Sequence, residues 1–454
     1  MHGKCFRRGT KMDEQRVISV AASALGKRCD SFELFFLRKN GISVEARGKK
    51  IESLVNSNES GLAIRVVKDG RLGFSYTTAL SEDGIRDAVR IALASSVASP
   101  LEQAPFSKVF EISHIEWEAR DLSWSGIGVE KKIGLALQME SVALSTSPLV
   151  SGVKKVRYED EDRYVRIVNS YGLDLSFEST IYECSALVIA SNGDESKIAL
   201  DFGFSHTFDG LKFEDVARNA SLKAVSLLGG RSVKSARLPI ILESSVSAEL
   251  LEVFVKGFYG NNVYKGKSKV ADLLGKKVYH TSLNLVDDPL LKDGYRSSPF
   301  DGEGTPTHRK YVIRDGTIEN WLLDNYFGHL LGTESNGSSR RDTVLEPPSI
   351  GISNLYVIPG HATSDLFREM WNGIYITSVY GVHTINPVTC DFSLGAEGIL
   401  VERGMKTRPV CGIVISGNLH DIFGGDILIG DRLVFFGNVG SPEILLPDVS
   451  ISGC

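Results

Sequence analysis

Apolar residues recur along this chain with two periods, and the order in which the periods alternate predicts the order of its elements. Val17, Val20, Ala21 and Ala24 stand at helical spacing behind Asp13, whose short acidic side chain suits an N-cap. Residues 31–48, SFELFFLRKNGISVEARG, then read as two strands around Asn40-Gly41, and residues 61–78, GLAIRVVKDGRLGFSYTT, as two strands around Asp69-Gly70. Both dipeptides suit a type I′ hairpin, because Asn, Asp and Gly tolerate the positive φ that such a turn requires. Helical spacing returns over 81–99, where Ile85, Val89, Ala92 and Val97 repeat behind Ser81 as the cap, and again over 126–146. A strand-forming stretch at 164–208 is broken at Gly172 and Asn192-Gly193, and a further helix is predicted at 213–228.

The segment GGRSVKSAR, 229–237, interrupts both periods and reads as a linker. Beyond it strands dominate, with hairpins predicted on Asp315-Gly316 within 308–325 and on Arg403-Gly404 within 397–410. The fold class is therefore α+β. An N-terminal domain of helices and antiparallel strands is expected over 13–228, and a strand-rich one over 237–454.

Length and composition fit this division. The chain has 454 residues, 42% of them hydrophobic and 24% charged, enough to fill more than one core. Its formal charge of -5 leaves no overall electrostatic footprint for nucleic acid or an anionic membrane, so peptides, proteins or small molecules are the expected partners. Six cysteines, at 5, 29, 184, 390, 411 and 454, form no CxxC pair. Reduced thiols in the cytoplasm are the expectation. Basic residues ahead of the first apolar stretch imitate a signal peptide, but Asp13, Glu14 and Arg16 sit against that stretch and favour a soluble helix.

Local catalytic signatures are missing. No two of the nine histidines stand closer than 21 residues, so no single helix supplies the pair of imidazoles a zincin places on one cation. GxSxG, a Walker loop and GxGxxG are absent as well. The segment AELLEVFVKGFYGN, 248–261, carries Ala248, Leu251, Val255 and Phe258 on one helical stripe and Glu249, Glu252 and Lys256 on another. Glu252 and Lys256 are spaced for an ion pair, so an amphipathic helix with a solvated charged face is expected there. Lys265, Lys267, Lys269, Lys276 and Lys277 read as a solvated basic cluster. In ESNGSSRRD, 334–342, the arginines could cradle a carboxylate through paired hydrogen bonds, although an exposed loop is the plainer expectation. Asn336 and Arg340 there, with His383 and Asn386 in YGVHTINP, are the candidates for lining a substrate cleft. Cys390 has no basic neighbour in sequence to activate it.

Taken together, GLAIRVVKDGRLGFSYTT, FDGEGTPTHRKYVIRDGTIENWLL, and INPVTCDFSLGAEGILVERG with GNLHDIF resemble, in order, signatures of the TldD/PmbA family, and more specifically its PmbA (TldE) branch. The resemblance implies a two-domain protein with a β-rich, barrel-like C-terminal half. It also implies a cytosolic metalloprotease assembled from paired TldD and PmbA subunits, linked to peptide processing and to the name modulator of DNA gyrase. In the TldD branch a helix of the C-terminal domain bears HExxxH. Laid on this chain, its histidine positions become Leu251 and Lys256, and its glutamate position is Glu252. Leucine has no lone pair and an ammonium group repels a dication, so zinc is expected in a TldD-type partner and not in this chain. Where the family pattern NPVTGDFS has glycine, this chain has Cys390, which bears on the geometry of that turn.

Three functions remain open on this reading. The first is a non-catalytic PmbA-like subunit, paired with a TldD-type protein around a channel for unfolded peptides. The second is a stand-alone homodimer that binds peptides or a protein such as gyrase without hydrolysis. The third is a hydrolase with a relocated site around Ser338, His383 and Cys390.

Overall fold

The structure, a computed structural model, describes residues 13–99, 106–110 and 119–453; Cys5, Cys454, His2 and His114 lie outside them. Asp13 caps the first helix, α1 (Glu14–Leu25), by accepting from Arg16 N at 2.8 Å. Ser81 caps α2 (Glu82–Ser95) through Gly84 N at 3.2 Å. Val97 falls beyond α2 in a 3₁₀ turn, where it is exposed.

Six strands form one antiparallel sheet: β1 (Ser31–Arg47), β2 (Lys50–Lys68), β3 (Arg71–Thr77), β4 (Val150–Asn169), β5 (Asp174–Asn192) and β6 (Glu195–Ser205). Their order is β3-β2-β1-β4-β5-β6. The turn at Asp69-Gly70 has φ of 50° and 68°, as a type I′ hairpin demands. No turn occurs at Asn40-Gly41. β1 runs straight through that dipeptide, and Gly41 serves close packing, since a Cβ there would stand 2.3 Å from the Asp160 carbonyl oxygen of neighbouring β4. The chain reverses later, at Gly48 and Lys49, where the φ values are 62° and 60°. β4 likewise starts at Val150, well before the predicted strand-forming stretch.

The pleat of β1 explains what covers the sheet. Leu34 and Phe36 point to one face and pack with α1 and α2. Further along the same face, Ile42, Val44 and Ala46 pack with α3 (Val129–Ser145) and α4 (Phe213–Ser226). Phe35 and Leu37, on the opposite face, meet Phe300 and Val344 of the C-terminal half. One face of the sheet is thus roofed by helices and the other by the second half of the chain.

That second half is built on a closed barrel. β7 (Ala236–Leu242) lies parallel to the strand Gly373–Tyr380. Antiparallel strands Asp391–Glu402, Met405–Asn418 and Ile444–Ser452 complete the ring, the last pairing with both β7 and Met405–Asn418. The predicted turns at Asp315-Gly316 and Arg403-Gly404 are present, all four residues having positive φ. Cys390 also has positive φ, at 59°, so the turn keeps a backbone shape that glycine adopts without strain. Its four free cysteines among the described residues form no disulfide. No helix among those residues is long and apolar enough to cross a membrane.

A buried ionic cluster joins the halves. Arg65 of β2 donates to Glu303 at 2.8 Å and lies 3.4 Å from Glu33 of β1. Arg341 donates to Glu33 at 2.7 Å and stacks its guanidinium 4.3 Å over Phe35. All four charged side chains are within 5% of full burial. Each arginine thus reaches one carboxylate of the other half, and Arg65 also lies beside Glu33 of its own. Asp324, beside them, caps the helix Asn325–Leu330 through Phe327 N at 2.8 Å. Burial and the charge of Glu303 push its carboxyl up to about 6.

Two outcomes follow from this cluster. Arg65→Ala strands the buried carboxylate of Glu303 and leaves Glu33 with Arg341 alone, and is expected to lower urea stability by about 3–5 kcal/mol. Asp324 holds its proton longer in the folded chain than in the unfolded one. Its contribution is therefore complete below about pH 4 and lost as pH rises through about 6, a fall of up to about 3 kcal/mol. Urea midpoints measured from pH 4 to 7 should decline less in Asp324→Asn, which retains the cap.

Candidate functional site

β7 feeds directly into α5 (Ser244–Phe254), the helix that carries the degenerate motif. It is amphipathic as expected, with Glu249 and Glu252 exposed on its charged face. Val246, Ala248, Leu250, Leu251, Val253 and Phe254 are all buried. Phe254 is ringed by Phe258, Tyr279, His420 and Phe423, with centroids 4.9–5.5 Å away. At Val255 the α-helix tightens to a 3₁₀ turn, Val255–Phe258. This change of pitch disturbs the spacing that would align Glu252 with Lys256, and no ion pair joins them.

The one polar strip of α5, with Ser245, Glu249 and Glu252, faces a cleft of about 890 Å³. Burial raises the Glu249 carboxyl above the usual range, and the charge of Glu252 adds to the effect against Lys223. The facing wall is β6, the outermost strand of the N-terminal sheet. Every residue from Ser196 to Phe202 lines the cleft, whichever side of the pleat it occupies. The cleft therefore runs along the strand's free edge. Lys197 bonds Glu397 at 2.6 Å, and Tyr380 Oη donates to the other oxygen of Glu397 at 2.9 Å, linking β6 to the barrel.

A second cavity, of about 350 Å³, lies between the open face of the sheet and the C-terminal half. Residues 338–341 are not the exposed loop expected for them: Ser338 and Ser339 are fully buried and Arg341 nearly so. Their charges and hydroxyls face the junction instead of water. Ser339, Arg340 and Arg341 line this cavity. Asn336 builds the loop, accepting from Leu323 N at 2.9 Å and donating to Trp321 O at 2.6 Å.

His383 and Asn386 occupy neither concavity. His383 sits exposed in the 3₁₀ turn Val382–Thr384. Asn386 is a loop former: its Oδ1 accepts from Val388 N at 2.8 Å and its carbonyl from Cys390 N at 2.8 Å. The proposed trio of Ser338, His383 and Cys390 shares no hydrogen bond, because Ser338 Oγ donates to Asn336 and Cys390 Sγ points to the Pro387 carbonyl. Burial pushes the Cys390 thiol up to about 11, which keeps it protonated at neutral pH. The lysines at 265, 267, 269, 276 and 277 are solvated as expected.

Comparison with known proteins matches residues 32–96 to PmbA/TldA metallopeptidase domain 1, 123–228 to the central domain and 235–453 to the C-terminal domain. The chain belongs to the TldD/PmbA family. It is 29% identical over 446 residues to a metalloprotease PmbA homolog of Haemophilus influenzae, covering 97% of this chain and 96% of that protein. It is 26% identical over 444 residues to metalloprotease PmbA of Escherichia coli O157:H7, with the same shares covered. Among solved structures, a candidate modulator of a DNA gyrase from Thermotoga maritima superposes with a TM-score of 0.89 at 24% identity, over 96% of this chain and 100% of that one. TldE from Thermococcus kodakarensis gives 0.87 at 20% identity, over the same shares. At those identities the likeness is one of fold.

TldD/PmbA signature residues have visible structural tasks here. Asp301 Oδ1 accepts from Glu303 N and Thr305 N at 2.9 Å each, and this tight loop delivers Glu303 to Arg65. In the C-terminal signature, Asn418 Nδ2 donates to Thr389 O and Asp391 Oδ1, both at 2.7 Å, while His420 and Phe423 pack against α5. Zinc does not fit the motif positions. Leu251 is a fully buried hydrocarbon, Lys256 an ammonium, and Glu252 a carboxylate without an imidazole or thiolate beside it. Among the described residues no group of three or more His, Cys, Asp or Glu is arranged to hold an ion.

Thiol reactivity tests the local chemistry. Burial also raises Cys184, to about 12. Alkylation of the native protein at pH 8, followed by peptide mass mapping, should label half-buried Cys411 before Cys184 and Cys390. Early labelling of Cys390 would contradict its protonated, buried state.

Proposed function

We propose that this chain binds extended peptides or unfolded protein segments along the free edge of β6 and does not hydrolyse them by itself. The observation that carries this reading is the cleft in which that edge faces the carboxylate strip of α5. A sheet edge offers unpaired N–H and C=O groups at strand spacing, so an added strand gains affinity from its main chain regardless of sequence. Ile198 and Leu200, each about half exposed, and Tyr380 supply apolar contacts for alternate side chains. Without a metal or an activated nucleophile, Glu252 alone has nothing with which to attack a peptide carbonyl. On this reading the chain acts by itself or as a homodimer, as a binding module of the gyrase-modulator type.

A second reading keeps the same cleft and adds a zinc-bearing TldD-type partner that cuts what this chain holds. The similarity to two PmbA metalloproteases over nearly their whole length favours it. Here the chain contributes a wall, a docking edge and assembly surface.

The test uses the full chain and a fluorescent, unstructured peptide. Anisotropy should show saturable binding that weakens by about tenfold or more, ~1.4 kcal/mol, when alternate backbone nitrogens of the peptide are methylated. Leu200→Lys should weaken it as well, and the peptide should remain uncut. Equal affinity for methylated and parent peptides would remove the edge-pairing reading; chelator-sensitive cleavage by the chain alone would remove the non-hydrolytic one. Turnover that begins only on adding a TldD-type protein selects the second reading.

A further inference from the structure

The smaller cavity holds a cation that the protein itself does not satisfy. Arg340 lies on the short strand Ser339–Arg340, paired with Ser349–Ile350. Two glycines clear room for it: a Cβ on Gly351 would stand 2.8 Å from its Cγ, and one on Gly302 would stand 2.9 Å from its carbonyl carbon. Its Nε and Nη2 are sealed from solvent and have no hydrogen-bond acceptor, and neither has the Oγ of fully buried Ser339 next to it. A buried guanidinium nitrogen without an acceptor is costly.

The surrounding charges are already engaged, and Asp287, the carboxylate that acts most on Arg340, is bonded by Lys310 at 3.0 Å and by Ser353. Asp342 is shared by Arg163 at 3.4 Å and Arg296 at 3.1 Å. Glu161 is taken by Lys39, and Glu159 by Arg157. Asp160 is taken by Lys132, and Glu183 by Tyr295 Oη at 2.7 Å. Asp301 spends both oxygens on backbone N–H groups of Glu303, Thr305 and Ser339. Arg341, also on the wall, spends Nη1 on Glu33 and lies over the ring of Phe35, but its own Nε and Nη2 have no acceptor either. What remains unpartnered is the Nε and Nη2 fork of Arg340, the same pair of Arg341 and the Ser339 hydroxyl, all in residues that wall a space of about 350 Å³. A carboxylate, with two coplanar oxygens, matches that fork better than a spherical anion.

Glu183 and Tyr295 line both this cavity and the cleft along β6, so their hydrogen bond forms the partition between the two. We propose that the cavity is a carboxylate subsite, in which Arg340 and Ser339 take the terminal or side-chain carboxylate of the chain bound along β6. The subsite stands on Arg340 and its cavity; that its ligand arrives as a peptide rests on the edge-binding reading.

The experiment titrates the full chain with an extended peptide ending in a free carboxylate, the same peptide amidated, an amidated peptide with one internal glutamate, succinate, and inorganic phosphate. Arg340→Gln and Arg340→Lys are run in parallel, with circular dichroism to verify folding. The acid peptide should bind at least about tenfold tighter than the amide. Arg340→Gln should abolish that preference, and Arg340→Lys, which keeps the charge but loses the fork, should abolish most of it. If the internal glutamate restores the affinity of the amide, the source is a side chain. If no peptide binds but succinate does, and only with Arg340 intact, the subsite stands and the peptide reading fails. Equal binding of acid and amide with no Arg340-dependent binding of succinate, or a preference unchanged in folded Arg340→Gln, overturns the subsite. Tight binding of phosphate alone overturns the carboxylate assignment.

Discussion

Four side chains, Glu33, Arg65, Glu303 and Arg341, set the relation between the halves of this molecule, and both concavities depend on that relation. Charges this deeply buried are tolerable only when each finds its counter-ion in good geometry, and each here finds it across the junction. A hydrophobic contact between the sheet's open face and the barrel domain would accept small slips, whereas a slip here leaves a bare carboxylate in the core. The apolar contact of Phe35, Leu37, Phe300 and Val344 beside it supplies adhesion, and the ions supply register.

With the halves so fixed, the fate of α5 follows. In a fold where this helix faces a cleft, two imidazoles on it could share a cation; here the same positions serve packing and solvation. Leu251 belongs to the main core of the C-terminal half, and Lys256 stands on the 3₁₀ turn that ends the helix. The cleft itself persists, because its walls are an edge strand and a helix held by residues elsewhere. The packing of Leu251 and the cleft that Glu252 lines thus coexist on one helix.

How much of this was legible beforehand depended on the range of the interaction. Turns at Asp69-Gly70, Asp315-Gly316 and Arg403-Gly404 are written in the φ preferences of the residues that make them, and each appears where predicted. Asn40-Gly41 carries the same local signal, yet its glycine answers to the Asp160 carbonyl of another strand. The run Ser338 to Arg341 misled for the same reason. Consecutive polar residues look solvated unless their partners are known, and the partner of Arg341 lies 308 residues away. Helix α5 shows the amphipathic pattern its stripes predict, with Glu249 and Glu252 exposed and the apolar remainder enclosed, while the expected Glu252–Lys256 pair is lost to the 3₁₀ turn. The reading of Leu251, Glu252 and Lys256 rests on a pattern of chemistry and needs no distances.

The two concavities share a wall, and that wall is polar. The hydrogen bond between Tyr295 and Glu183 lies in that wall, beside the aromatic packing of the Tyr295 ring. Burial raises the Glu183 carboxyl above the usual range, with the Tyr295 hydroxyl acting against that rise. The hydrogen bond is thus one that favours the charged form of a group otherwise inclined to neutrality, and breaking it costs less once Glu183 is protonated. Tyr295 also packs edge-on against Phe204, at 5.0 Å, and against Phe202 of β6, so a strand docking on that edge presses on the partition directly. Occupation of the edge and access to Arg340 are in this way mechanically adjacent, joined by a single aromatic side chain.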